Sequence, residues 1–279
     1  LPEGAFRLTA LDVGQGLAVV IETRHYTLVY DTGPRFTDTA DAGNRIIAPF
    51  LRAAGLPRID GLIVSHQDID HAGGMRSLLT TVPTGWFASS LYADHAIMAT
   101  LGGRVPLLGC NAGQQWTWDL VRFTMLHPTA VDYADARAKT NDRSCVVRID
   151  SAFGSALLTG DIEAISEMRL VARDAAALRA QVMLVPHHGS RTSSTPAFIR
   201  AVGPTWAIVN NGYRNRFGHP RAEIMARYRA VDSTILRTDV DGAVSVTFAA
   251  GIPLTPVTAR KTGMRYWHDR PDLHAAALE

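Results

Sequence analysis

Between His66 and His71 the chain places two histidines and two aspartates: His66, Asp68, Asp70 and His71. The stretch reads SHQDIDHAGG over 65–74; it follows the apolar run Leu62-Ile63-Val64 and ends in Gly73-Gly74. Imidazole and carboxylate are side chains that hold divalent metal ions. Gathered at the tip of an apolar strand, they are costly unless an ion or water offsets them. The same arrangement recurs downstream. His127 closes FTMLHP, Asp161 closes ALLTGD, and His187-His188 follow VMLVP. Taken singly, a histidine at a strand end is a capped or solvated residue, and TGD is a turn with a helix N-cap. Jointly these loci point to a metal centre, because strand ends along one sheet edge converge in space.

The elements that must position these residues are legible as short runs. FRLTALDV, GLAVVIE and YTLVYDTG read as strands. Gly14-Gln15-Gly16 suits a hairpin between the first two; it is no dinucleotide fingerprint, since no helix opens after it. NRIIAPFLRAAG has helical spacing and stops at Gly55. IDGLIVS is a strand leading into the cluster, and GGMRSLLTT begins a helix. In the second half, LVRFTMLHP, SCVVRID and SALLTGD read as strands, and IEAISEMRLVARDAAALRA as a helix broken near Asp174. QVMLVPHHGS is strand into loop, TPAFIRAVG helix, TWAIVNNG strand and PRAEIMARYRAV helix; STILRT and AVSVTFA close the pattern as strands. The mixture predicts an α/β fold of two sheets packed face to face with helices outside. No linker or repeat divides it, so one domain is expected over residues 1–274, with its core at 5–250.

A chain of 279 residues with 47% hydrophobic content can bury a sizeable core. Its apolar runs are strand-length, short of the roughly 18 residues that argue a membrane span. The N-terminal residues carry no signal-peptide pattern. A formal charge of +2 is too small to argue nucleic-acid binding by itself. Lys139 and Lys261 are the only lysines, so the basic residues are almost all arginine, whose planar fork suits phosphate. Cys110 and Cys145 lack a metal-type spacing and read as two buried thiols. The terminal AAALE, 275–279, resembles a cloning-vector remnant, and the LPEGAFRL start suggests a domain cut from a longer chain.

HxDxDHxGG, followed by LHP, TGD and PHHGS and preceded by Asp31 in YDTG, resembles the metallo-β-lactamase fold superfamily over about residues 5–250. The usual cluster there is HxHxDH; Asp68 stands in place of the second histidine. That departure, with LDVGQG near the start and RFGHP near the end, resembles the C-terminal domain of the DNA internalization-related competence proteins of the ComEC family. The resemblance implies an αββα sandwich, two mixed β-sheets flanked by helices, with two divalent metal ions at one edge. It puts His66, Asp68 and His127 on the first ion, Asp70, His71 and His188 on the second, and Asp161 between them. His187 is then left to hydrogen-bond a substrate oxygen, and Asp31 orients a ligand histidine. Asp68 makes the first site harder, which brings Mn²⁺ into play beside Zn²⁺. Two such ions can stabilise charge building on phosphoryl oxygens. No GxSxG elbow offers a rival nucleophile.

YRNRFGHP gathers Arg214, Arg216, Phe217 and His219, and Arg191 follows HHGS. Arginine for phosphate and aromatic rings for bases are what a single strand would use. His219 matches the family's GHP motif. Asn141 and Ser144, in TNDRS, read as a turn before a strand, with an active-site role as the alternative. The expected function is a two-metal phosphodiesterase, a nuclease acting on DNA, single-stranded by preference. In the family it would degrade the strand not imported during DNA uptake in natural transformation. The expected setting is a longer bacterial inner-membrane protein with a channel domain, this domain lying on the extracytoplasmic side. A hydrolase of a small ester, lactone or phosphocholine is the rival enzyme, and a docking module on the channel the rival of another class.

Overall fold

The computed structural model describes residues 1–91 and 105–263. The first sheet takes β1 (Phe6–Ala10), β2 (Val19–Glu22), β3 (Thr27–Tyr30), β4 (Ile59–Val64), β5 (Thr84–Ser89) and β6 (Leu107–Gly109). The second takes β7 (Gln115–Trp118), β8 (Val121–His127), β9 (Val146–Ser151), β10 (Gly154–Leu158), β11 (Val182–Leu184), β12 (Trp206–Val209) and β13 (Thr234–Arg237). The chain then returns to the first sheet with β14 (Val244–Phe248) and β15 (Val257–Thr258). The spatial orders are β15-β14-β1-β2-β3-β4-β5-β6 and β13-β12-β11-β10-β9-β8-β7. Both sheets are mixed: β3 to β6 and β10 to β13 run parallel, and the other pairs antiparallel.

Burial separates four layers. Phe6, Leu8, Ile21, Phe123, Val147 and Ile149 fill the space between the sheets. Leu62, Val64 and Phe87 lie on the first sheet's outer face under Ala48–Ala53 and Met75–Thr81. Met183, Ala207 and Val209 lie on the second sheet's outer face under Ala164–Asp174, Pro196–Val202 and Ala222–Arg229. This explains the unbroken Leu62-Ile63-Val64: Ile63 faces the inner core while its neighbours face the helices, so a strand covered on both sides has no polar face. The expected αββα architecture is present. The helix after Asp161 ends at Asp174 and resumes as a short 3₁₀ turn, Ala176–Leu178. The ligand-type residues follow the C-terminal ends of β3, β4, β10 and β11, where parallel strands of open α/β sheets present their loops to ligands.

Two readings need correction. Cys110 and Cys145 are not thiols; they form a disulfide. Cys110 follows β6 and Cys145 precedes β9, so the bond ties the first sheet's edge to the second sheet. Their separation of 35 residues hid a neighbourhood that only the sandwich creates. β5, β6, β7 and β15 are not among the expected strands: β6 and β15 are short, and β5 and β7, TGWFAS and QWTW, carry tryptophans in place of an aliphatic run. Trp86, Trp116 and Trp118 pack together there, with Trp116 stacked on Phe123 at 5.0 Å. The expected tail, 275–279, lies outside the described residues.

In the chain-entropy account, closing a 35-residue separation contributes about 3–4 kcal/mol. A Cys110→Ala/Cys145→Ala double variant should therefore have an unfolding free energy, measured by urea titration, lower than the oxidised parent's by about that amount. Coincident unfolding curves would show that the bond is not structural.

Candidate metal centre

The centre is built outward from the tip of β3. Asp31 has a left-handed φ of 60° and a fully buried carboxylate. That carboxylate accepts the Ser65 backbone N–H at 2.6 Å, the Ser65 hydroxyl at 2.8 Å and the His71 Nδ1–H at 2.8 Å. Thr32, the next residue, donates its N–H and its hydroxyl to the His71 carbonyl at 2.7 and 2.8 Å. YDTG thus clamps both ring and backbone of His71. LDVGQG supports the neighbouring residue. Leu17 N–H donates to the Asp70 carbonyl at 3.1 Å, and a Cβ on Gly16 would lie 2.4 Å from that oxygen. Gly160 of TGD is equally constrained: its φ is 53°, and a Cβ there would meet Ser144 at 2.8 Å and Ser65 at 3.0 Å.

These bonds fix where the histidine protons sit. A carboxylate only accepts, so His71 carries its proton on Nδ1 and turns the Nε2 lone pair inward. His188 does the same, its Nδ1–H donating to the Asn210 carbonyl at 2.6 Å. The Ser65 hydroxyl gives its hydrogen to Asp31, which leaves it to accept from His66 Nδ1 at 3.0 Å. His66 Nε2 is then buried without a partner, as is Asp161 Oδ1. Three imidazoles therefore offer Nε2 to one space. Two of these nitrogens, on His71 and His188, lie 3.2 Å apart. Asp161 Oδ1 is 3.1 Å from His71 Nε2, and Asp161 Oδ2 is 3.5 Å from His188 Nε2; Asp70 Oδ2 is 3.4 Å from His188 Nε2. Donors this close, with lone pairs converging, suit a cation between them. Two overlapping sets meet the geometry of a metal site: His66, His71 and Asp161, and Asp70, His71 and His188.

The field agrees. Burial opposes charge on His71, yet Asp161, Asp31 and Asp70 raise its pKa well above the ordinary value. Burial likewise opposes charge on Asp161 and Asp70. His71 and His188 nevertheless hold Asp161 well below the usual carboxylate range and push Asp70 down to about 2. The same negative potential that favours a proton on His71 and His188 would favour a dication in its place.

Asp68 caps the short helix Ile69–Ala72 and is half-exposed; its Oδ2 lies 3.7 Å from His66 Nε2. His127 is not brought to either set: its Nε2 donates to the Asp142 carbonyl at 2.8 Å, and its Nδ1 lies 3.4 Å from Asp132. His187 and His188 both have left-handed backbones, at φ 50° and 53°. Their rings diverge, His188 inward and His187 toward the mouth. There His187 Nε2 lies 3.8 Å from Asp161 Oδ2 and 3.5 Å from Asn141 Nδ2. His219 packs edge-on to His187 at 5.9 Å, and Phe217 stacks on His219 at 5.8 Å. Burial, His188 and His187 push His219 down to about 4, so it is neutral at physiological pH. Arg216 lies over Phe217 and Arg214 over Tyr213, at 4.9 and 5.2 Å, both without a carboxylate partner among the described residues. Arg191 is exposed and pairs with Glu223. Ser65, Thr140, Asn141 and Ser144 complete the surroundings. TNDRS does form a turn, the 3₁₀ segment Asn141–Arg143, but its side chains also reach the centre. Thr140 donates to Asp68 at 3.2 Å, and Ser144 Oγ lies 3.4 Å from His66 Nδ1.

Comparison with known proteins is consistent with this geometry. Residues 11–209 match the Metallo-beta-lactamase superfamily profile. The chain is 35% identical over 271 residues to Competence protein ComA of Neisseria gonorrhoeae, covering 97% of this chain and 36% of that protein. It is 33% identical over 249 residues to Recombination protein 2 of Haemophilus influenzae, covering 89% of this chain and 29% of that one. The chain thus spans about a third of the length of the curated relatives it matches. The crystal structure of the metallo-beta-lactamase fold protein YhfI from Bacillus subtilis superposes with a TM-score of 0.53 at 11% identity, over 84% of this chain and 95% of that one.

Asp161 faces both donor sets, so Asp161→Ala should weaken binding at both. Asp31→Ala should weaken metal binding about 10–100-fold while removing no ligand, the usual cost of losing a histidine's orienting partner. Titration with Mn²⁺ and Zn²⁺ and elemental analysis measure both. Undiminished affinity in either variant would break the corresponding assignment.

Proposed function

The chain belongs to the metallo-beta-lactamase superfamily, as a metal-dependent hydrolase, and from that premise we propose that it is a nuclease hydrolysing the phosphodiester backbone of DNA, with single strands as its preferred substrate. The observation that carries the step from hydrolase to nuclease is the run of side chains leading out of the buried centre. His187, His219, Phe217 and Arg216 follow one another in contact, from the metal donors to solvent. An exposed aromatic ring with a guanidinium over it offers the two groups a single strand uses, the ring for a base once Arg216 swings aside and the guanidinium for the next phosphate. Relatives named for competence and recombination favour the same reading; on that reading the activity would serve DNA uptake, beside a channel part of a longer protein.

Divalent ions, when bound, supply Lewis acidity for attack by water on phosphorus and offset the charge that develops there. His66, Asp68, Asp161, Asp70, His71 and His188 would hold them. The chain's own residues do the rest. His71 and His188 keep fixed tautomers through Asp31 and the Asn210 carbonyl, so their lone pairs need no reorganisation. His187 and His219 face the mouth as hydrogen-bonding groups for phosphoryl oxygens, His219 as the neutral ring its surroundings favour. Arg214 and Arg216 would hold flanking phosphates, and Arg191 could join them only by leaving Glu223. The disulfide supports an extracytoplasmic location, since such bonds persist in oxidising compartments. Among the described residues no helix is long and apolar enough to cross a membrane, which fits a membrane anchor supplied by another part of the protein.

Two signatures separate this from a small-ester hydrolase. Oligonucleotide binding should weaken steeply with salt, and Arg216→Ala should flatten the log–log slope by about 0.7, the share of one neutralised phosphate on a single strand. Phe217→Ala should weaken single-strand binding about 10-fold, the worth of one base stacked on an aromatic ring. Both variants should spare a small chromogenic phosphodiester, whereas His219→Ala should slow both substrates. Salt-insensitive activity, or turnover of a lactone or carboxylic ester with none on DNA, would favour the small-molecule hydrolase.

A further inference from the structure

His127 ends β8 in the LHP motif, yet its ring is turned away from the metal donors. Its Nε2 is 2.8 Å from the Asp142 carbonyl oxygen. A carbonyl only accepts, so Nε2 carries the proton and has no lone pair to offer a cation. Its Nδ1 keeps a buried lone pair without a hydrogen-bond partner, but that lone pair faces Asp132 at 3.4 Å, a carboxylate already receiving Thr129 and Arg169, and not the donors of the centre. The carbonyl that His127 holds also receives the Ser166 hydroxyl at 3.2 Å and belongs to the turn Asn141–Arg143. The far side of that turn is a wall of the centre. Thr140 Oγ1 donates to Asp68, and Ser144 Oγ reaches His66 Nδ1 at 3.4 Å and accepts the Asp161 N–H at 3.1 Å. Between them Asn141 is buried, its amide nitrogen 3.5 Å from His187 Nε2.

We propose that His127 is a positioning residue rather than a metal ligand, holding the 140–144 turn so that Asn141 presents its amide, beside His187, to a substrate oxygen. Only the role of Asn141 rests on the phosphodiesterase reading; the role of His127 does not. An amide suits the place. It is neutral, so it does not repel the cation, and an N–H fixed before substrate arrives stabilises developing negative charge without reorganisation. Histidine suits its own place because a buried ring N–H reaches a backbone carbonyl that would otherwise lose a partner.

The test combines metal counting with a double-mutant cycle on the full chain, using bis(p-nitrophenyl) phosphate as substrate. His127→Gln keeps an N–H for the Asp142 carbonyl; it should bind as many ions as the parent and turn over within about 5-fold of it, as a conserved hydrogen bond predicts. His127→Ala and Asn141→Ala should each keep the parent's metal content and lose about 100-fold in kcat, the usual cost of removing one such donor. The double variant should be no slower than either single one, since one residue acts through the other. Loss of an ion in His127→Gln would overturn the proposal and restore His127 as a ligand. Multiplicative losses in the double variant would also overturn it, by showing independent roles. If His127→Ala fails to fold, His127→Gln still decides through its metal content and rate. A parent that binds metal but cleaves no phosphodiester would sink the phosphodiesterase reading and the role of Asn141 with it, while the metal content of His127→Gln still judges His127.

Discussion

One buried carboxylate sets the proton positions on which the centre depends. Asp31 is removed from solvent, and a charge in that position is tolerated only when its oxygens are filled. Here they are filled by Ser65, through backbone and hydroxyl, and by His71. Because Ser65 gives its hydroxyl hydrogen to Asp31, it must accept from His66. Two rings therefore receive their tautomers from a group that touches only one of them. The left-handed backbone at Asp31 is the conformational cost of aiming the carboxylate back under β4.

Much of this was legible in the sequence, for a definite reason. Strands covered on both faces give unbroken apolar runs, so their tips are easy to find, and His66, Asp161 and His188 stand at such tips. The αββα layering followed from the order of those runs. What the pattern could not supply was the direction a side chain faces. His127 has the same local grammar as His66, apolar strand then histidine, but a carbonyl across the layer captures its ring. Asn141 and Ser144 are turn residues and also wall residues. Their hydrogen-bonding capacity favoured the turn reading over the active-site alternative, and the turn and the wall turn out to be one feature. The cysteines carried no spacing signal because their proximity is a product of sheet packing. A usable clue lay in Gly160: a glycine beside an aspartate, with no room for a Cβ between Ser65 and Ser144, marks where three segments crowd together.

The polarity of the site changes with depth. At the bottom, charged donors are packed so tightly that their protonation equilibria are displaced, His71 upward and Asp70 and Asp161 downward. At the rim, His219 is pushed toward neutrality, and beyond it lie an exposed phenylalanine and two guanidinium groups. Electrostatic interactions strengthen where water is excluded, so the bottom is suited to holding ions and the rim to discriminating what reaches them.

The donors come from both halves of the sandwich: His66, Asp70 and His71 from the first sheet's loops, Asp161 and His188 from the second's. An ion held between them is therefore a fastener as well as a reagent. A ligand bound only by the folded state stabilises it in proportion to the logarithm of its concentration, about 4 kcal/mol at a thousandfold excess over Kd. The protein's lifetime against proteases thus becomes coupled to the supply of divalent metal. In a metal-poor compartment the two halves would be fastened chiefly by packing and the disulfide, and scarcity would be read out as turnover of the protein before it was read out as lost catalysis.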